Sequence, residues 1–138
     1  ESLYIPGGGT RHPASHESID SRLHYIKMKG NELFKIAVRN MCEVSNLVFD
    51  AARITSGDIN LLIPHQANQR IADAVGERLG IPPEKIYGNI ALIGNTSSAS
   101  IPIALDECLK AGRIKTGDVV MFVSFGAGVT WGASLIRW

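Results

Sequence analysis

The sequence predicts an α/β domain built in layers, on three observations. Apolar segments with helical spacing alternate with short strand-type runs from residue 31 onward. The run Val119–Phe125 is almost wholly apolar, as buried central strands are. A last strand returns after a Gly-rich turn, which closes the chain with a hairpin. Its 138 residues suit one domain, 1–138, with a core of its own. Hydrophobic residues at 45% and charged residues at 20% exclude a disordered chain. Fourteen basic residues against thirteen acidic ones leave a net charge of +1, without the basic excess of a nucleic-acid binder. No apolar run approaches the roughly 18 residues of a membrane-spanning helix. Cys42 and Cys108 form no CxxC pair, which points to a reducing compartment and a cytoplasmic protein. The chain starts at Glu1 with no signal-type segment, and it reads as part of something larger.

Leu3-Tyr4-Ile5 reads as a strand end, and the Gly- and Pro-rich text up to residue 24 as irregular structure. His12 and His16 have a spacing that binds metal on a helix. Pro13 and the neighbouring Gly and Ser oppose a helix there, and no Cys or carboxylate cluster completes a site, so no metal is expected. Residues 31–52 form the clearest helix. Leu33, Ile36, Ala37, Met41, Val44, Leu47, Val48 and Ala51 share a face at about 100° per residue, and Phe34, Val38, Cys42 and Phe49 widen it. A stripe this broad predicts cover on two sides, one of them from the rest of a larger protein. Leu61–Ile63 is a short strand stopped by Pro64. Asn68–Leu79 is a helix closed by Gly80 and Pro82-Pro83. Ile90–Ile93 reads as a further short strand, followed by the Gly94–Ser98 turn and a helix over about Ser98–Ala111 with Gly112 as its stop. Pro102 is tolerable there because it falls in the first turn. Val119–Phe125 and Val129–Arg137 are the final strands.

In open α/β sheets ligands gather beyond the carboxyl ends of the strands. Pro64-His65-Gln66-Ala67-Asn68, Asn95 and Phe125-Gly126-Ala127-Gly128 occupy such places. A His and an Asn there can donate to one carbonyl oxygen and stabilise an enolate or oxyanion. Each also has a plainer reading: His65 as a surface or capping residue, Asn95 as a turn residue, and the Gly-rich segment as a tight hairpin. Ser97, Ser98 and Ser100 suggest a nucleophile, but no GxSxG elbow is present and helix capping accounts better for Ser97 or Ser98. Cys42 and Cys108 sit among apolar residues as small hydrophobes, with nothing adjacent to activate them. Spacing alone therefore supports an α/β domain with a candidate carbonyl-polarising site.

The same turns carry a resemblance. LLIPHQANQRI (61–71), GNTSSAS (94–100) and SFGAGVTWGASLIRW (124–138), with IPGGGTRHPAS (5–15) and MKGNELFKIAV (28–38), resemble in order the C-terminal half of the β-ketoacyl-acyl-carrier-protein synthase III family. The resemblance implies one half of a thiolase-like, five-layer α-β-α-β-α fold with a mixed sheet, and a homodimer when complete. The helix 31–52 is then expected in the central helical layer. It also implies decarboxylating Claisen condensation of an acetyl-type primer from CoA with malonyl-acyl-carrier protein, in which both thioesters are substrates and no cofactor takes part.

His65 and Asn95 match the His and Asn of the family's Cys-His-Asn set, and the cysteine belongs to the N-terminal half. Phe125 matches the aromatic residue of the reaction chamber. Ala127 stands where the family commonly has the glycine whose N–H completes the oxyanion hole. Gly30, Phe34, Ala67 and Asn68 match the pantetheine tunnel, and Lys35 and Arg70 match basic residues where the acidic carrier protein docks. Glu77 stands where a lysine is frequent and is followed by Arg78, so no large basic patch is expected. Two other functions fit the same residues: a related condensing enzyme with another primer, and a non-catalytic half-domain that binds carrier protein.

Overall fold

The computed structural model describes residues 2–138. Two short strands, β1 (Leu3–Tyr4) and β2 (Lys27–Met28), pair antiparallel beside a short helix, α1 (His16–Asp20). The strand end expected at Leu3-Tyr4-Ile5 is present as β1, and the irregular structure expected after it contains α1. Ser15 and Ser18 form a reciprocal capping box that starts α1 after Pro13, so the proline obstructs nothing. His16 is the first residue of α1 and His12 lies in an isolated bridge with Gly9. Among the described residues no group of three or more His, Cys, Asp or Glu side chains is arranged to hold a metal.

The main body is a long helix α2 (Gly30–Ala52), strand β3 (Leu61–Pro64), helix α3 (Gln69–Leu79), a single-turn helix α4 (Ile90–Ile93), helix α5 (Ser100–Lys110), and strands β4 (Val119–Gly126) and β5 (Thr130–Arg137). The sheet order is β3-β4-β5, with β3 parallel to β4 and β5 antiparallel to it. The mixed sheet of the sequence reading is present. Asn68 caps α3 by accepting from the Arg70 N–H at 3.0 Å, and Gly80 ends that helix at φ +68°, a left-handed conformation that glycine adopts without strain. Pro102 lies in the first turn of α5, where its missing N–H costs no helical bond.

Alternate residues of the central strands point to opposite faces. On one face Val119, Met121 and Val123 pack with Val38, Met41 and Phe49 of α2 and with Val75 and Leu79 of α3. On the other face Val120, Leu61 and Ile63 pack with Ala104 and Cys108 of α5 and with Ile114.

Three expectations are corrected. First, α2 is covered on two sides, but by the sheet and by α3, both within this chain. Its polar arc faces outward together with Leu47, which is 62% exposed. The helix therefore lies with α3 in a layer on one face of the sheet, and the opposite face carries α5. Second, Ile90–Ile93 is a helical turn. The extended segment ends earlier, where the Tyr87 N–H donates to the Leu62 carbonyl at 2.9 Å. The N–H groups of Leu92 and Ile93 then turn back onto the Asn89 carbonyl. A four-residue apolar run does not distinguish the two forms by period. Third, neither Ser97 nor Ser98 caps α5 with its side chain. Asn95 Oδ1 instead accepts from the Ser97 N–H at 2.8 Å.

Candidate active site

His65 follows β3 directly. Its N–H donates to the Val123 carbonyl at 2.8 Å, which extends the β3–β4 ladder by one residue and holds the imidazole at the carboxyl end of the parallel pair. Phe125 is two residues further along β4, partly buried against the α2-side core. Parallel pairing thus brings the PHQAN turn and the start of the Phe125–Gly128 hairpin to the same sheet end, although they lie far apart in sequence.

The imidazole is half-buried. Its Nδ1 lies 2.6 Å from Oγ of Ser100, the first residue of α5 and a fully buried one. Burial lowers the His65 pKa below its ordinary value, so the neutral ring is favoured. The neighbouring Gln66 is buried too. Its side-chain amide donates to the carbonyls of Pro64 and Tyr87, and its Oε1 accepts from the Asn89 N–H at 3.0 Å. Asn89 and Tyr87 both donate to Glu107 of α5, at 2.6 and 2.8 Å. Burial and this bond to Glu107 push the Tyr87 phenol up to about 12. The network clamps the segment entering α4 between β3 and α5, and so fixes where the following loop with Asn95 begins.

Asn95 is exposed on that loop, after α4 and five residues before Ser100. No hydrogen bond joins it to His65 among the described residues. Because its Oδ1 accepts from Ser97, its amide N–H groups are the donors left to face outward. Ala127 is exposed in the β4–β5 turn and is not among the residues with positive φ, so alanine is unstrained at this position.

Ala67 and Asn68 are exposed in the turn between β3 and α3. Phe34 of α2 meets Arg70 of α3, whose guanidinium carbon sits 5.6 Å from the ring centroid. Lys35 is exposed one residue further along α2. Gly30 begins α2, and a Cβ placed there would meet nothing within 4 Å. Glu77 and Arg78 are exposed in the last turn of α3.

The cysteines are poor nucleophiles. Burial pushes Cys108 up to about 11 and raises Cys42 as well. A cavity of about 360 Å³ is lined by Tyr4, Ile5, Pro6, Gly9, Arg11 and His12 and shares no residue with the His65 site. A groove of about 310 Å³ runs between Ile101 of α5 and the strands β4 and β5.

The sequence reading missed Gln66 and the contact role of Ser100. Gln66 gave a faint signal, a polar residue immediately after a buried strand. Ser100 gave none beyond its presence in a serine-rich turn.

The family model for the 3-oxoacyl-[acyl-carrier-protein (ACP)] synthase III C terminal matches residues 49–138. A β-ketoacyl-[acyl-carrier-protein] synthase III of Symbiobacterium thermophilum is 55% identical over 136 residues, covering 99% of this chain and 41% of that protein. The crystal structure of a 3-oxoacyl-[acyl-carrier-protein] synthase III from Aquifex aeolicus superposes with a TM-score of 0.82 at 52% identity, over 83% of this chain and 37% of the other. The enzyme of the same name from Pseudomonas aeruginosa superposes over 100% of this chain and 41% of its own, with a TM-score of 0.85 at 36% identity. The chain thus spans about two fifths of the length of these relatives.

Proposed function

The chain belongs to the 3-oxoacyl-[acyl-carrier-protein] synthase III C-terminal family, and from that premise we propose that it supplies the carbonyl-polarising half of a condensing active site. The complete enzyme joins an acyl-CoA primer, of acetyl type, to malonyl-acyl-carrier protein with loss of CO₂. In this reading residues 1–138 are the C-terminal domain, and the nucleophilic cysteine comes from an N-terminal half.

Nδ1 of His65 is engaged by Ser100, and this observation carries the reading. Nε2 is the edge that remains for a ligand, at the strand end where ligands of α/β sheets bind. As CO₂ leaves the malonyl group, negative charge develops on the thioester oxygen. His65 Nε2 and Asn95 Nδ2 donate to that oxygen, and donors fixed in advance lower the barrier because nothing has to reorganise. Phe125 walls the chamber and the Ala127 N–H serves the oxyanion of the acyl-transfer step. Gly30, Phe34, Ala67 and Asn68 line the path of the pantetheine arm. Lys35 and Arg70 receive the acidic carrier protein, with Arg70 held ready by its stacking on Phe34. The complete enzyme is a homodimer.

Condensation measured on this chain paired with the N-terminal half tests the reading. His65→Ala or Asn95→Ala should each lower the rate by about 10²–10³-fold. The chain alone should give no β-ketoacyl product. Condensation by the isolated chain, or full activity in either variant, would overturn the assignment.

A further inference from the structure

We propose that Ser100 is a positioning residue that fixes the tautomer of His65, placing the imidazole proton on Nε2. The inference deepens the reading above, since a donor edge on Nε2 is what that reading requires, but the argument needs only the local geometry.

A serine hydroxyl has one proton to donate and two lone pairs that accept. Ser100 Oγ accepts from the Gln66 N–H at 3.3 Å, which commits one lone pair. Among the described residues the hydroxyl has one other polar partner, His65 Nδ1 at 2.6 Å. If Nδ1 carried the proton, Oγ would accept from two N–H groups and its own proton would point into a fully buried site with no acceptor. If Nδ1 is bare, the hydroxyl donates to it, and every polar atom of the trio is paired. The separation is short, as a hydroxyl donor permits. The second arrangement satisfies the site, and it leaves Nε2 as the N–H edge.

The device is assembled from three elements. Gln66 lies in the turn after β3, and its side chain is locked by Pro64, Tyr87 and Asn89, so its N–H is held in place. Ser100 opens α5, which packs against β3. Double protonation of the ring is opposed for the same reason as the wrong tautomer, since an imidazolium would need Nδ1 to donate. Charged groups on neighbouring elements, Arg70 on α3 and Glu107 on α5, do not contribute to the lowered pKa of His65, which comes from burial.

Nitrogen-15 NMR of the imidazole in the whole chain tests this without substrate. Nδ1 should resonate as a bare acceptor nitrogen and Nε2 as a protonated one. Ser100→Ala should convert this into a mixture of tautomers and move the titration midpoint upward. Ser100→Thr, which retains the hydroxyl, should restore the single tautomer. A proton found on Nδ1 in the unaltered chain would overturn the proposal. So would an Ala variant with the same tautomer and midpoint. If Ser100→Ala fails to fold, the measurement on the unaltered chain still decides. A correct tautomer combined with undiminished condensation by His65→Ala would sink the functional reading and leave this one standing.

Discussion

The two faces of the sheet are filled to different depths. On the face of α2 and α3, eleven buried side chains form one cluster, including Met41, Leu62, Val75 and Met121. On the α5 face the buried cluster has six members, three of them the smaller Ala104, Cys108 and Val120. The α5 side also carries the groove along β4 and β5. Ile136, which pairs with Val120 and so points to the same face, is 41% exposed. One helix of eleven residues cannot cover what two helices cover on the other side. Stability is therefore concentrated on the α2–α3 face, and the α5 face is the unfinished one. The PHQAN turn sits between them, held by β4 through its backbone and by α5 through Ser100.

Truncation of the core should expose this asymmetry most strongly. Met121→Ala removes a fully buried side chain from the α2–α3 face and should cost about 2–5 kcal/mol, the usual range for such cavities. Leu109→Ala, at a site 36% exposed on α5, should stay within about 0.5 kcal/mol, as exposed sites generally do. Urea unfolding of both variants checks the difference. Equal losses would mean that Leu109 is packed as fully as Met121.

A smaller effect should appear at the surface. Ile136 on the α5 face and Leu92 of α4, which is 87% exposed, leave apolar area uncovered. Leu47 on α2 is exposed as well, but it stands among Glu43, Asn46 and Asp50. Contiguous apolar patches mark interaction sites, whereas single exposed hydrophobes do not. The double variant Leu92→Glu/Ile136→Glu should reduce binding of a hydrophobic dye, and Leu47→Glu should leave it unchanged. If Leu47→Glu had the larger effect, the open face would be the other one.

Much of the architecture was legible in the sequence because period and stop signals agree there. The bounds of α2 and β4 follow from helical or strand-type apolar spacing, and α3 is in addition closed by Gly80. Ile90–Ile93 was misread because four apolar residues carry no period, and the turn is imposed by Gln66 and Glu107 holding Asn89 from outside the segment. The cover over α2 was misassigned because a hydrophobic stripe states that it is covered without naming what covers it. The assignment of His65 and Asn95 rests on their motifs, since spacing alone leaves both ambiguous. The partner of His65 was not legible, because Ser100 lies 35 residues away and its approach depends on α5 crossing beneath the end of β3.

The smallest expected effect lies at the joint between the faces and concerns pH. Burial holds the pKa of His65 below the 6.5 of an unfolded chain. In the window between the two values the unfolded state binds more protons than the native state, so stability rises with pH there. The contribution is fully present above about 6.5 and is lost as pH falls through the native pKa. The ring is only half-buried, so the slope should correspond to a fraction of a proton. Urea midpoints from neutral to mildly acidic pH, compared between the unaltered chain and His65→Gln, isolate this term from the carboxylates that titrate lower. The two curves should run parallel at neutral pH, and the unaltered chain should fall away relative to the variant on acidification. A gap that widened in the opposite sense would mean that the native fold prefers the charged ring. That would break the picture of a neutral imidazole gripped between β4 and α5.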